Sequence, residues 1–116
     1  MFVDIIRAVT GKLPGVTEDI KWEHDLCFCI GGKMFFVMPV EGKESASFKV
    51  PDEAFEELCT REGISPAPYL ARNKWIHVTS PKVFSKKEWE YYIIQAYHLI
   101  AAKLPVKVKK ELGLIG

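Results

Sequence analysis

Leu26-Cys27-Phe28-Cys29-Ile30-Gly31-Gly32-Lys33-Met34-Phe35-Phe36-Val37-Met38 decides how this chain folds. Two apolar runs, containing aromatic and β-branched residues, flank a Gly-Gly pair. Glycine adopts positive φ without the Cβ clash other residues suffer, and a two-residue hairpin turn requires such angles. The stretch therefore predicts a β-hairpin. Both faces of each strand are largely apolar, so the hairpin belongs mid-sheet, with helices over at least one side.

The segments around the hairpin extend this into an α+β domain. Phe2, Ile5, Ile6 and Val9 recur at helical spacing, and Gly11 is placed to stop that helix in the left-handed conformation before the Pro14-Gly15 turn. Val16 to Trp22 alternates poorly and reads as a short strand leading into the hairpin. After the polar turn Glu41-Gly42-Lys43-Glu44, Ser45 to Val50 alternates: Ala46, Phe48 and Val50 share one face, and Ser45, Ser47 and Lys49 share a second, wet one. Pro51 suits a first helical turn, Asp52 and Glu53 complement the macrodipole, Phe55, Leu58 and Cys59 form the inner stripe, and Gly63 ends the helix. The exposed Glu56 and Glu57 make that helix repel a polyanion. Ile64 to Lys74 reads as a loop carrying Pro66 and Pro68, followed by the short strand Trp75-Ile76-His77-Val78. Ser85-Lys86-Lys87-Glu88 matches a capping box, in which Ser85 and Glu88 satisfy each other's free amides. It opens a long helix in which Trp89, Tyr92, Ile93, Ala96 and Ile100 repeat until Leu104-Pro105. The basic tail from Val106 adds a further helical turn. The expected order is α-β(3)-α-β(1–2)-α within a single domain, 1–116.

Composition narrows the class of protein. With 116 residues, 48% hydrophobic and 27% charged, the chain can bury a core without metal or disulfide staples. Three cysteines, an odd number, point to a reducing compartment. Asp4 and Arg7 interrupt any signal-like start, and no apolar run is long enough to span a bilayer, so a cytoplasmic location is expected. Net charge is only +1, yet residues 1–66 carry seven Lys/Arg against twelve Asp/Glu, while residues 67–116 carry nine Lys/Arg against three Glu. A basic second half is a hint of an anionic partner. A pI near 7.7 falls short of the basicity usual for a dedicated DNA-binding domain.

Gly32-Lys33-Met34-Phe35, Lys49, Pro68-Tyr69-Leu70 leading to Trp75, and Lys103-Leu104-Pro105 together resemble the MmcQ/YjbR-like family, over about residues 13 to 107. The resemblance implies a two-layer fold with an antiparallel sheet, similar in architecture to type III secretion chaperones. It also implies a DNA-binding role, through a likeness to double-winged DNA-binding arrangements. That inference passes from shape to function, and fold alone does not fix function.

The residues themselves carry little catalytic chemistry. Gly31-Gly32-Lys33 lacks the longer glycine-spaced loop of a P-loop and joins two strands, although Lys33 can present its ammonium to an anion beside the turn. Cys27 and Cys29, with His24 and His77, lack paired zinc-knuckle spacing and read as small buried hydrophobes. The carboxylates Glu18, Asp19, Glu23 and Asp25 read as a solvated strand end, and His98 lies in the long helix without a partner. No nucleophile elbow or metalloprotease motif occurs. No enzyme activity, cofactor or metal is expected. The basic and aromatic set is the best functional candidate: Lys49, Arg72, Lys74, Lys103 and Lys107 are placed to neutralise DNA phosphates, with Trp75 buried as a core aromatic. The alternative partner is a protein or peptide held by an adaptor of secretion-chaperone-like architecture, with an exposed apolar sheet face as its mark.

Overall fold

In the computed structural model, which describes residues 1–68 and 70–114, six strands form one antiparallel sheet. They are β1 (Val16–Lys21), β2 (Asp25–Ile30), β3 (Lys33–Pro39), β4 (Ala46–Lys49), β5 (Ile64–Pro66) and β6 (Trp75–Val78), in the spatial order β1-β2-β3-β4-β6-β5. The helices are α1 (Phe2–Thr10), α2 (Asp52–Leu58), α3 (Lys86–Ala101) and α4 (Val106–Glu111). Gly31 and Gly32 join β2 to β3 with φ of 59° and 79°, the left-handed pair that a tight hairpin demands. The hairpin lies inside the sheet, between β1 and β4.

One face of the sheet carries the helices. Phe28, Phe36, Phe48 and Ile76 stand opposite one another across β2, β3, β4 and β6, and all are fully buried. A bulge in β3 skips Phe35 in the pairing, since Phe28 faces Phe36 while Cys29 faces Met34. The extra residue breaks the strict alternation of side chains. Phe35 and Phe36 both enter the core as a result: Phe35 meets the Tyr97 ring at 5.6 Å, and Phe36 stacks on Phe48 at 5.5 Å. Helix α3 supplies the other layer through Trp89, Ile93, Ala96 and Tyr97. Its start is the expected capping box, with Glu88 N–H donating to Ser85 Oγ at 3.1 Å and Ser85 N–H to Glu88 Oε1 at 2.9 Å.

Three local expectations are corrected. Gly11 is right-handed (φ −62°), and the chain leaves α1 through the turn bonds Lys12 N–H to Val9 O and Leu13 N–H to Thr10 O; Gly15 supplies the left-handed residue (φ 76°). Helix α2 ends at Leu58, well before Gly63, because Thr60 and Arg61 N–H turn back onto Glu57 and Leu58 carbonyls. Gly63 (φ 85°) instead opens β5. Ile64–Pro66 is therefore an edge strand where the sequence reads as loop. Its single proline sits where a missing donor costs least.

Candidate anion-binding site

Antiparallel pairing places the start of β3, the end of β4 and the start of β6 at the same end of the sheet. Lys33 begins β3, Lys49 closes β4, and Trp75, opposite Lys49, begins β6. The turn after α3 reaches the same place. A Cβ on Gly31 would approach Leu104 Cδ1 to 2.8 Å, so the hairpin tip and the α3–α4 link are packed together. Lys33, Lys49 and Lys103, from three separate segments, line one pocket of about 390 Å³ with Asn73, Trp75 and Leu104. No carboxylate is among its lining residues. Among the described residues, none of these three lysines has an ion-pair partner.

Lys49 forms the pocket's inner wall. Alternation along β4 puts its side chain on the sheet face away from the helices, but that face is covered here, and only 6% of Lys49 is exposed. The cover is the segment before β6, where Ala71–Asn73 makes a 3₁₀ turn and Lys74 takes a left-handed backbone (φ 61°). Lys74 O accepts from Val50 N–H at 3.0 Å, and Asn73 O accepts from Lys49 Nζ at 2.6 Å. Burial lowers the Lys49 pKa, the charge of Lys103 lowers it further, and Asp52 partly opposes them. The ammonium is thus held beside like charge with one protein acceptor.

This arrangement has a pH signature. Lys49 carries its burial cost fully below its folded pKa. Between that value and the unfolded 10.5, the unfolded chain binds more protons, so stability rises with pH across the window. Lys103 and Lys74 also face Lys49, and Asp52 is its nearby carboxylate. Lys49→Met will be at least as stable as the parent at pH 7, because removing a buried charge that faces Lys103 outweighs the loss of one part-buried hydrogen bond to Asn73 O. Its advantage will shrink toward pH 10.5. Urea unfolding of both proteins at several pH values checks this, and an advantage that grows with pH would contradict it.

The remaining cations lie around the pocket without lining it. Lys74 Nζ stands 5.0 Å from the centroid of the Phe55 ring. Arg72 is exposed on the covering turn, and Lys107 is exposed on α4, just beyond the pocket residue Pro105.

The sheet's outer face also forms an adjoining groove of about 700 Å³, which shares Met34 and Leu70 with the pocket and is lined further by Trp22, Val37 and the Ser47–His77 pair, among others. Ser47 Oγ and His77 Nδ1 are 3.0 Å apart. Burial, and then Lys43, lowers the His77 pKa. Trp22 stands 66% exposed at its lip with φ of 52°. Cys27 is wholly buried, its thiol pushed up to about 11 chiefly by burial.

A family model for YjbR matches residues 11–99. The chain belongs to the YjbR family. No curated protein matches it. Among solved structures, it is similar to Deinococcus radiodurans protein DR2400, which carries domain DUF419. That match has 26% identity and a TM-score of 0.85, over 96% of this chain and 87% of the other. A Pseudomonas syringae protein shares the fold, at 22% identity and a TM-score of 0.63, over 84% of this chain and 94% of that one.

The segments that carry the YjbR resemblance in the sequence meet at the pocket. Lys33, Met34, Lys49, Leu70, Trp75 and Lys103 all line it, with Leu104 and Pro105; Tyr69 lies outside the described residues. Of the expected phosphate contacts, Lys49 and Lys103 come together, with Lys74 close enough for its charge to act on Lys49. The wet setting expected for Lys49 is corrected by the 3₁₀ cover. Asn73 acts on Lys49 through its backbone carbonyl, a role that residue type in the sequence does not signal.

Proposed function

We propose that this YjbR-family domain binds DNA through backbone phosphates, without sequence readout, at the basic end of its sheet. The reading rests on one observation: lysines distant in the chain converge on a surface with no lining carboxylate. Lys33 and Lys103 make the central contacts, Arg72, Lys74 and Lys107 the flanking ones, and Lys49 adds its field from below. Arg and Lys neutralise phosphates and release counterions, so affinity falls with salt. The acidic face of α2 repels the duplex and helps orient it.

Titration of a labelled duplex at several salt concentrations tests the reading. If three to five phosphates are engaged, log affinity will fall against log salt with a slope of about −3 to −4.5. Lys103→Gln combined with Arg72→Gln will make that slope shallower by about 2. Binding insensitive to salt, or none at low salt, removes the proposal.

A second reading, a peptide-binding adaptor, draws on the outer groove. An exposed tryptophan held in a left-handed backbone at the lip of an apolar channel is an uncommon expense of stability. Asp25 at the same groove selects an apolar segment bearing a lysine or arginine. Trp22→Ser would abolish that binding and leave duplex binding unchanged.

A further inference from the structure

We infer that the pocket around Lys49 is a binding site for a phosphomonoester dianion carried on a small apolar body. This goes beyond contact with a duplex backbone and does not depend on it.

Depth separates the two ligands. Lys49 is 6% exposed, yet it lines the pocket. A backbone diester is flanked by sugars on both sides, and a duplex cannot fold inward to bring its phosphate to a recessed ammonium. A monoester ends its molecule, so its three free oxygens can lead the way in. An ammonium has three donors, and Lys49 uses one on Asn73 O. The others are available to an anion at the inner wall, with Lys33 and Lys103 at the sides.

Charge and size point the same way. Three ammonium groups exceed what a carboxylate monoanion can balance, whereas a dianion also relieves the repulsion between Lys49 and Lys103. Charge-assisted bonds of this kind are short and strong, especially where the site is partly dry. The remaining wall is apolar, with Met34, Leu70, Trp75, Ile100 and Leu104. A volume near 390 Å³ lies within the range of small-molecule sites, about 300–1,000 Å³. It accommodates a phosphate together with a ring-sized body.

A free phosphorylated small molecule and the 5′-phosphorylated end of a nucleic acid present the same chemistry. The test therefore uses phenyl phosphate, benzoate, and a trinucleotide with either a 5′-phosphate or a 5′-hydroxyl. Each is titrated into the intact protein in phosphate-free buffer, following backbone amide NMR shifts. Phenyl phosphate will give saturable shifts centred on Lys33, Lys49, Asn73 and Lys103, and benzoate will bind about tenfold more weakly or worse. Lys49→Met and the exposed-site variant Lys103→Gln will each weaken phenyl phosphate by about tenfold, while thermal melts show both folded. Saturation by the 5′-phosphorylated trinucleotide, but not by its 5′-hydroxyl form, assigns the site to strand ends. Saturation by phenyl phosphate alone assigns it to a small molecule. No saturable shift with phenyl phosphate, shifts centred elsewhere, or unchanged affinity in both variants overturns the inference. Closed circular duplex, which has no ends, tests the backbone reading separately, so either proposal can fail alone.

Discussion

Trp89→Ala will destabilise the domain by about 3–5 kcal/mol, the range for deleting a large buried aromatic. Trp89 is 2% exposed and joins α1, the sheet and the turn before α3. Its ring centroid lies 4.8 Å from Phe2, 5.0 Å from Phe84, 5.9 Å from Phe48 and 6.3 Å from Phe36. Aromatic pairs of this kind contribute about 0.5–1.5 kcal/mol each beyond area burial, and four of them lose a partner together. The indole Nε1–H also donates to Pro81 O at 2.8 Å, leaving that carbonyl short of a partner in the variant. Trp89→Phe separates the two contributions: it keeps part of the aromatic contact and loses the hydrogen bond, and will cost about 1–3 kcal/mol. Chemical denaturation of the three proteins measures the differences. A Trp89→Ala cost below that of Trp89→Phe would mean the aromatic cluster does not hold the two layers together.

The parts of the fold legible in the sequence are those in which one residue type serves one local need. Gly31-Gly32 tolerates the positive φ that a two-residue hairpin turn requires, and Ser85 with Glu88 satisfies amides three residues apart. What was not legible depends on segments that meet in space. Period-two alternation says correctly that Lys49 faces away from Phe48, but contains nothing about the Ala71–Asn73 turn that covers it. Likewise Ile64-Ser65-Pro66 is too short to show alternation and carries a proline. It becomes a strand because β6 offers it an unpaired edge. The bulge at Phe35 escaped for the same reason: two adjacent phenylalanines look like a run with two apolar faces until Tyr97 is seen to need one of them. The candidate site was half visible. The charge asymmetry and the separate lysines are in the sequence, whereas their meeting point follows from antiparallel register.

Gly31→Ala will cost about 2–4 kcal/mol, combining left-handed strain with overpacking, while Gly32→Ala will cost only about 1 kcal/mol. Both glycines have positive φ, so conformation alone does not separate them. Their surroundings do. A Cβ on Gly31 would lie 2.8 and 2.9 Å from the two Leu104 methyl carbons and 3.2 Å from Val108 Cγ1, whereas a Cβ on Gly32 meets nothing within 4 Å. Leu104 is buried at the α3–α4 link and shares the pocket with its neighbour Lys103. To make room, the buried Leu104 side chain must leave its rotamer, or the link must shift from the hairpin tip and carry Lys103 with it. Asparagine tolerates the left-handed region better than alanine but still brings a Cβ. Gly31→Asn should therefore recover only the conformational part of the loss, and Gly32→Asn should be nearly neutral. Thermal unfolding of the four variants decides the matter. Equal losses at the two glycines would show that the Leu104 contact does not hold the hairpin tip in place against the α3–α4 link. Lys33 of β3 and Lys103 of the α3–α4 link would then lack the contact that holds them around one anion.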